Sequence, residues 1–320
     1  MCFSAQVEMD LKKLAKKFGA EIDLESFLEL FTQRLNGSGA KISRALEIPF
    51  LNPQTPAEKK IAKAINDFNQ LEESKREKDL FAQKKRLADA ERLLKTKVTK
   101  KAENDKRIAT DKIEKIKSKL DRLKVTKVSE NDGRIFPYGY APLIVMENGH
   151  RLIRPFRYLM RPSGQEEDFD RKFGGCYNAR LDGLDSKFFW KSVLGKNHGV
   201  MVVKSFWENV SKHTYERRKP RAGEEDENIV LHFSPKGLDQ MIVPCIFDHN
   251  EEGEFPLDSF ALITDDPNPE VKAAGHDRTP VFMKEEYIDQ WLKHESKSLK
   301  DYGKVFADKQ KTYFEHEVAA

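Results

Sequence analysis

The second residue, Cys2, has the side chain best suited to covalent chemistry. Because cysteine is small, we expect an aminopeptidase or the protein itself to remove Met1, which leaves an N-terminal cysteine. Its α-amine, with a pKa of about 7.7 to 8.0, then lies beside a thiol with a pKa of about 8.5. Such a pair can hydrolyse amides, or condense with an aldehyde through a Schiff base that the thiolate closes into a thiazolidine. The alternative is a cysteine on a frayed terminus.

Three later segments carry polar residues of catalytic type. Asn178 offers a donor and an acceptor, and Arg180 beside it can bind a phosphate. Glu208 ends an apolar run, where partial burial favours acid/base chemistry by a carboxylate. His276 lies in a turn before a proline-led strand, and an imidazole titrates near pH 6.5. Taken singly, each segment can equally be a polar turn, a strand end or a surface loop.

The first half of the chain is predicted to be helical. Apolar residues recur with a helical period from Ala5 to Phe18, and again from Leu24 to Leu35. Thr55-Pro56-Ala57-Glu58 has the pattern of a capping box and begins a segment without glycine or further proline that runs to Lys127. Its sparse apolar residues predict two long paired helices that turn between residues 97 and 105.

The second half is predicted to be mainly β, with short apolar runs between turn residues. The candidate strands are Pro142–Met146, Gly199–Trp207, Ile229–Phe233, Met241–Phe247, Ser259–Thr264 and Pro280–Met283. Helices are predicted near Ser186–Leu194 and Lys284–Leu292, and the charged tail after Trp291 is predicted to be helical and then frayed.

Composition excludes several classes of protein. The chain has 320 residues, 38% hydrophobic and 34% charged, which is enough for a hydrophobic core. No run of about 18 apolar residues occurs, so we expect no membrane span. The N-terminus has no signal-peptide pattern, and the 3 cysteines and 8 histidines show no metal-ligand spacing, so we expect neither a metal nor a cofactor.

Positive charge is concentrated in one stretch. The formal net charge is +4, but residues 56–127 contain 23 Lys/Arg against 13 Asp/Glu, a balance of +10. The remainder has 34 against 40, a balance of −6. This segment is either a solvated helical surface or one that engages an anionic partner.

Taken in chain order, these segments resemble the motifs of one family, the SOS-response-associated peptidases (SRAP). The matching elements are the N-terminal Cys2, Tyr140-Ala141-Pro142, Asn178-Ala179-Arg180, Phe206-Trp207-Glu208 and His276-Asp277-Arg278-Thr279-Pro280. The resemblance covers residues 2–18 and about 133–292, so the stretch between them looks like an insertion.

The resemblance implies a fold. We expect an α+β fold, with a compact, mainly-β domain of twisted sheets or an open barrel with peripheral helices at residues 2–54 and 128–320. A charged, coiled-coil-like helical hairpin would be inserted at residues 55–127.

The resemblance also implies a chemistry. Such proteins bind single-stranded DNA at abasic sites and form a thiazolidine crosslink between the N-terminal cysteine and the ring-opened deoxyribose. Cys2 would be the nucleophile and Asn178 would position its amine. Glu208 would move protons during ring opening and Met1 removal, His276 would assist Schiff-base formation and reversal, and Arg180 would contact a phosphate.

Some family positions differ in this chain. Cys2 is followed by Phe3-Ser4 instead of Gly-Arg, and the W-G-L-I-P element is replaced by residues 158–162. Tyr158 is expected to stack on a base and Arg161 to supply charge. With Arg180, the residues Lys204 and Arg278 complete the predicted DNA-binding set.

Two other functions remain open: a cysteine amidohydrolase or peptidase that acts on other substrates, and a non-catalytic scaffold that binds nucleic acid. Under the SRAP reading, the partner is single-stranded DNA with abasic sites, and the hairpin can contact a further protein. We expect a monomer in the cytoplasm, associated with the nucleoid in a bacterium or in the nucleus of a eukaryote.

Overall fold

Twelve strands form one mixed sheet in the described part of the chain, residues 4–129, 132–186, 188–221, 223–293 and 298–319 of a computed structural model. The strands are β1 (Ser4–Val7), β2 (Glu21–Ile22), β3 (Arg134–Ile135), β4 (Tyr140–Glu147), β5 (His150–Tyr158), β6 (Asn178–Arg180), β7 (His198–Ser211), β8 (Asn228–Pro235), β9 (Met241–Asn250), β10 (Leu257–Asp265), β11 (Thr279–Pro280) and β12 (Phe314–Val318).

Helices flank this sheet and complete the predicted α+β fold. They are α1 (Leu11–Phe18), α2 (Leu24–Leu35), α3 (Arg44–Glu47), α4 (Pro56–Thr96), α5 (Lys100–Leu123), α6 (Asp168–Lys172), α7 (Phe188–Val193), α8 (Lys212–Tyr215), α9 (Pro269–Ala273), α10 (Ile288–Leu292) and α11 (Gly303–Ala307). Short 3₁₀ helices lie at Ile48–Phe50, Leu181–Gly183, Glu285–Tyr287 and Leu299–Tyr302.

The centre of the sheet is a closed barrel. Pairing runs from β10 to β5, β4, β7 and β9, and β9 returns to β10; only the β10–β5 pair is parallel. Strands such as β4 and β9 are buried on both faces over most of their length. The interior of the barrel and the elements packed around it therefore share one continuous core.

Strand β7 is long enough to belong to two parts of the sheet. Its first half pairs with β4 and β9 in the barrel, and its second half pairs with β1 and β8. In this register Ser4 lies opposite Trp207, and Glu208 lies opposite Leu231. The second half of β7 therefore carries Glu208 beside the strand that begins the described chain.

The prediction of a helix from Ala5 is wrong at its start. Residues Ser4–Val7 form β1, and α1 begins at Leu11, where the side chain of Asp10 accepts a hydrogen bond from the Lys13 amide at 3.0 Å. All four β1 residues are buried because β1 lies between β7 and β3. The apolar spacing fits a strand as well as a helix here, and pairing with distant strands decides between them.

The predicted helical tail is also corrected. Residues Phe314–Val318 form β12, which pairs antiparallel with β8. Phe314 is fully buried, and its ring centre lies 5.2 Å from those of both Phe206 and Phe282. This one anchoring side chain attaches a strand whose other residues are exposed.

The long helices begin at the predicted capping box, whereas α5 ends at Leu123, before the predicted Lys127. The Thr55 hydroxyl accepts from the Glu58 amide at 3.2 Å, and the Glu58 carboxylate accepts from the Thr55 amide at 3.0 Å, which completes the capping box. The chain turns at residues 97–99, and the Thr99 hydroxyl then caps α5. An ion pair of 2.5 Å between Arg86 and Asp105 joins α4 to α5.

Helix α4 has a buried beginning and an exposed remainder. Ile61 and Ile65 are fully buried in the common core, and the Arg34 guanidinium from α2 lies 4.1 Å from the centre of the Phe68 ring. Further along, Leu71 is 60% exposed and Phe81 is 73% exposed. The first turns of α4 are therefore part of the fold that supports the sheet.

We predict that Ile65→Ala lowers the free energy of unfolding by about 2 to 5 kcal/mol, because it leaves a cavity in the core. The matched change Leu71→Ala in the same helix should alter it by less than about 0.5 kcal/mol, because that side chain is largely solvated. Urea unfolding of both variants measures the difference. Equal losses at the two positions would show that the start of α4 is not part of the core.

Candidate active site

Two of the predicted catalytic residues are in contact. The Glu208 carboxylate, fully buried on β7, has its Oε2 atom 3.4 Å from Nε2 of His276. His276 is 8% exposed and lies in the turn between α9 and β11. Sixty-eight positions of sequence separate the two residues, and the fold brings them to ion-pairing distance.

A glycine allows the His276 turn to approach β7. Gly275 has φ of +101°, and a Cβ atom there would lie 2.7 Å from Thr214 and 2.8 Å from Val210. No larger residue fits without displacing the turn. The close packing of Gly275 therefore sets the position of the next residue, His276.

The neighbours of His276 determine which nitrogen carries its proton. Nδ1 lies 2.8 Å from the carbonyl oxygen of Arg278 and 3.3 Å from the amide nitrogen of the same residue. The shorter contact favours an Nδ1–H that donates to the carbonyl, which turns the lone pair of Nε2 toward Glu208. A proton carried by the Glu208 carboxyl group can then pass to Nε2 and return from it.

Burial keeps the His276 ring neutral. It lowers the pKa of His276 from its usual 6.5 to about 4. At neutral pH the imidazole is therefore uncharged and can accept a proton, as a general base does.

Asn178 is oriented by a buried tyrosine. The Tyr158 hydroxyl donates to Oδ1 of Asn178 at 3.1 Å, and the Tyr158 ring is stacked on Phe260 with centres 5.3 Å apart. Because Oδ1 accepts this hydrogen bond, the amide nitrogen of Asn178 points to the other side. Tyr158 thus fixes the face that Asn178 presents.

An aspartate connects the strand of Asn178 to the turn of His276. Asp182 accepts from Arg180 on β6 at 2.5 Å, and its carboxylate lies 3.7 Å from the guanidinium of Arg278. Strands β6 and β11 also both pair with β10. Both predicted motifs therefore lie at one end of β10.

The remaining predicted catalytic residue, Cys2, lies outside the described residues. Ser4 is the first described residue, and it pairs with Trp207, the neighbour of Glu208. The Ser4 hydroxyl accepts from Nε of Arg134 at 2.9 Å. The first described residue therefore lies opposite the β7 residue that precedes Glu208.

The predicted DNA-binding residues have different surroundings. The Arg180 side chain is 41% exposed and the Lys204 side chain is 43% exposed, so both reach solvent. Lys204 forms an ion pair with Glu8 at 3.3 Å, beside a cavity of about 440 Å³. Arg278 is mostly buried, and its guanidinium lies 3.2 Å from Asp266.

Two members of that set do not have the predicted exposure. Tyr158 is fully buried, so its ring offers no face to a base. Arg161 is 6% exposed and donates to Asp170 at 2.6 Å. Tyr158 therefore supports the site from within the core, since it positions Asn178.

The sequence did not identify the residues that line a basic groove. Its lining in the described chain contains four cations, Lys41, Arg44, Arg122 and Arg134, and no Asp or Glu, around about 440 Å³. Phe136, 42% exposed, lies at its edge. Arg134 and Phe136 lie on either side of one buried residue, and positions i and i+2 of a strand share one face. This alternation is the sequence signal that could have identified the groove.

Aromatic rings connect the groove to the sheet. The Arg134 guanidinium lies 4.8 Å from the centre of the Phe136 ring and 4.0 Å from that of Trp207. Trp207 in turn stacks on His232 at 4.2 Å. This series of stacked groups holds Arg134 next to the first residue of β1.

Two further features bear on possible ligands. In the described ranges, no group of three or more His, Cys, Asp and Glu side chains could hold a metal ion. No helix in the same ranges has the length and apolar character needed to cross a membrane.

Comparisons with solved structures gave several alignments. A protein from Bacteroides thetaiotaomicron aligns with TM-score 0.46 at 16% identity, over 59% of this chain and 78% of its own. A protein from Bordetella bronchiseptica aligns with TM-score 0.45 at 16% identity, over 60% and 90%. A phage-related protein from the same organism aligns with TM-score 0.45 at 13% identity, over 62% and 85%.

Comparison with curated proteins gave no match. A family profile, described as SOS response associated peptidase (SRAP), matches residues 99–319. That range holds more than half of the chain and includes Asn178, Glu208 and His276. The family is associated with DNA damage. The chain belongs to the SOS response associated peptidase family.

Proposed function

We propose that this protein binds single-stranded DNA at abasic sites and captures the lesion as a covalent adduct of Cys2. The observation that carries the proposal is the buried contact of Glu208 with His276, beside the strand that begins at Ser4. A buried carboxyl group in contact with a neutral imidazole is suited to the proton transfers that such a condensation needs.

The length of chain before Ser4 supports a role for Cys2. Two residues of polypeptide span at most about 7 Å, so a nucleophile at position 2 acts close to Ser4. Ser4 lies opposite Trp207, one residue from Glu208. This short connection supports a role for an N-terminal amine and thiol in chemistry assisted by Glu208 and His276.

The proposed reaction is balanced by the loss of one water. After Met1 is removed, the α-amine of Cys2 adds to the aldehyde carbon of the ring-opened deoxyribose, and the carbinolamine loses water to give a Schiff base. The Cys2 sulfur then bonds to that carbon, its proton passes to the nitrogen, and a thiazolidine ring closes. Cys2 contributes both bonds to the sugar.

The surrounding residues have separate roles in this proposal. Glu208 and His276 move the protons in ring opening and dehydration, and they act again in the reverse reaction. Asn178, oriented by Tyr158, binds the α-amine. The same groups would assist hydrolysis of the Met1–Cys2 bond, which accounts for the peptidase in the family's description.

DNA recognition is assigned to phosphates and stacking, because an abasic site has no base to read. The cations of the basic groove and the exposed Arg180 offer phosphate contacts, and Phe136 offers a stacking surface. Binding should therefore depend strongly on salt and weakly on sequence.

Protein that begins at Cys2 should form an adduct with abasic single-stranded DNA that survives a denaturing gel, and Cys2→Ala should form none. Glu208→Gln should slow the reaction by about 10²- to 10⁴-fold, because general acid/base groups contribute that much. The matched control, Glu227→Gln, changes an exposed carboxylate and should react at the wild-type rate. A stable adduct of Cys2→Ala would assign the chemistry to another nucleophile.

His276 should make stability depend on pH. Its pKa of about 4 in the folded protein lies below its usual 6.5, so between these values the unfolded chain binds more protons. Stability should therefore fall as pH drops from 6.5 to 4, by up to about 3 kcal/mol from this residue. Urea unfolding of His276→Gln should show a correspondingly smaller loss.

The control for this experiment is His150→Gln, which changes an exposed histidine at the first residue of β5. It should retain the wild-type pH dependence. If wild type and His276→Gln lose stability in parallel between pH 7 and pH 4, the His276 ring is not held neutral by burial.

A further inference from the structure

Two buried arginines share a single carboxylate on the side of β5 away from Tyr158. Arg157 donates to the two oxygens of Asp170 at 2.8 and 3.1 Å, and Arg161 donates to the same oxygens at 2.6 and 3.2 Å. All three residues are more than nine-tenths buried. We call this group the arginine cluster.

The arginine cluster carries an excess positive charge. Burial alone would raise the pKa of Asp170, but the hydrogen bonds from Arg161 and Arg157 outweigh it and lower the pKa, so the carboxylate is ionised. Both guanidinium groups are always charged. One positive charge is therefore left over in a buried place, which is unfavourable unless an anion balances it.

One donor of the cluster is unused. Nε of Arg157 has no hydrogen-bond partner among the described residues, although the atom is buried. Nη2 of the same residue also donates to the Leu159 carbonyl, at 3.0 Å. A buried donor without a partner carries a free-energy cost that a further acceptor would relieve.

The cluster opens onto a cavity of about 180 Å³. Lys41, Tyr138, Tyr140, Arg157 and Arg161 line it, and one exposed carboxylate, Glu167, also borders it. Whole small molecules usually occupy about 300 to 1,000 Å³. The space therefore suits a single phosphate-sized group.

The cations are held in place before any ligand arrives. The Tyr138 ring centre lies 5.5 Å from the Arg157 guanidinium and 5.1 Å from the Lys41 ammonium. Both cations thus contact the same aromatic ring. Their side chains therefore lose less conformational entropy when an anion binds.

We propose that this cavity is a phosphate-binding site in which Arg157 and Arg161 bind the anion and Lys41 closes its outer side. Lys41 also lines the basic groove, so the phosphate can belong to a bound DNA strand or to a free phosphate ion. The site makes no use of Cys2, and its test is independent of crosslinking.

Isothermal titration calorimetry of the full chain with inorganic phosphate tests the site. A chloride salt keeps the ionic strength constant during the titration. Wild type should bind one phosphate saturably. Arg161→Gln leaves a neutral Arg157–Asp170 pair and should weaken binding by about tenfold or more, as expected for loss of a charged hydrogen bond. Asp170→Asn removes the competing carboxylate and should bind phosphate more tightly.

Asp170→Asn also separates a ligand site from a purely structural cluster. Without phosphate its melting temperature should fall, because two guanidiniums lose their shared acceptor, and phosphate should raise it by more than in wild type. Lys41→Gln changes an exposed side chain, so it should fold even if the buried variants do not, and should weaken binding. The control Lys272→Gln, an exposed lysine outside the cavity, should bind as wild type does.

An intact single-stranded oligonucleotide distinguishes the source of the phosphate. If the DNA backbone occupies the site, the oligonucleotide should displace phosphate and Arg161→Gln should weaken its binding; if a free ion does, both should bind together. Either result supports the site. Absence of saturable phosphate binding, or equal binding by wild type, Arg161→Gln and Lys41→Gln, would overturn it, whatever the crosslinking assay gives.

Discussion

The structure depends on the pairing of β1 with β7. This contact fixes Ser4 opposite Trp207 and buries all four residues of β1 between β7 and β3. Each backbone hydrogen bond contributes about 1 kcal/mol net, and the burial of the strand adds to this. Ser4, the first described residue, is thereby held opposite the β7 residue that precedes Glu208.

The far side of β1 is closed by a glycine. A Cβ atom at Gly133 would lie 2.5 Å from the Val7 carbonyl oxygen, which is closer than van der Waals contact allows. The Val7 amide also donates a hydrogen bond to the Gly133 carbonyl at 2.9 Å. Next to it, Glu8 is buried and paired with Lys13 at 2.8 Å and Lys204 at 3.3 Å. These contacts end β1 and turn the chain toward α1.

Sequence reasoning succeeded where the signals are local. The capping box at Thr55 and the helix Leu24–Leu35 follow from a few neighbouring residues, and both are confirmed. Strand β5 is not among the predicted strands because its arginines give the segment a charged pattern in place of an apolar run. Arg154, for example, is balanced by Asp23 and Asp258, which lie far from it in the sequence.

The same limit applies to the site. Motif order was sufficient to select Glu208 and His276, which are in contact, although Gly275 packing against β7 determines their geometry. Exposure was not predictable, so Tyr158 was assigned to a base when its hydroxyl in fact binds Asn178. The basic groove forms only when residues near 41, 122 and 134 meet in space.

The central claim is that both bonds to the sugar come from Cys2, and tandem mass spectrometry of the adduct tests it most directly. After nuclease and protease digestion, the deoxyribose remnant should be found on the peptide that begins at Cys2, with neither a free α-amine nor a free thiol at that residue. A remnant attached to a lysine such as Lys204, or a Cys2 peptide without it, would contradict the account.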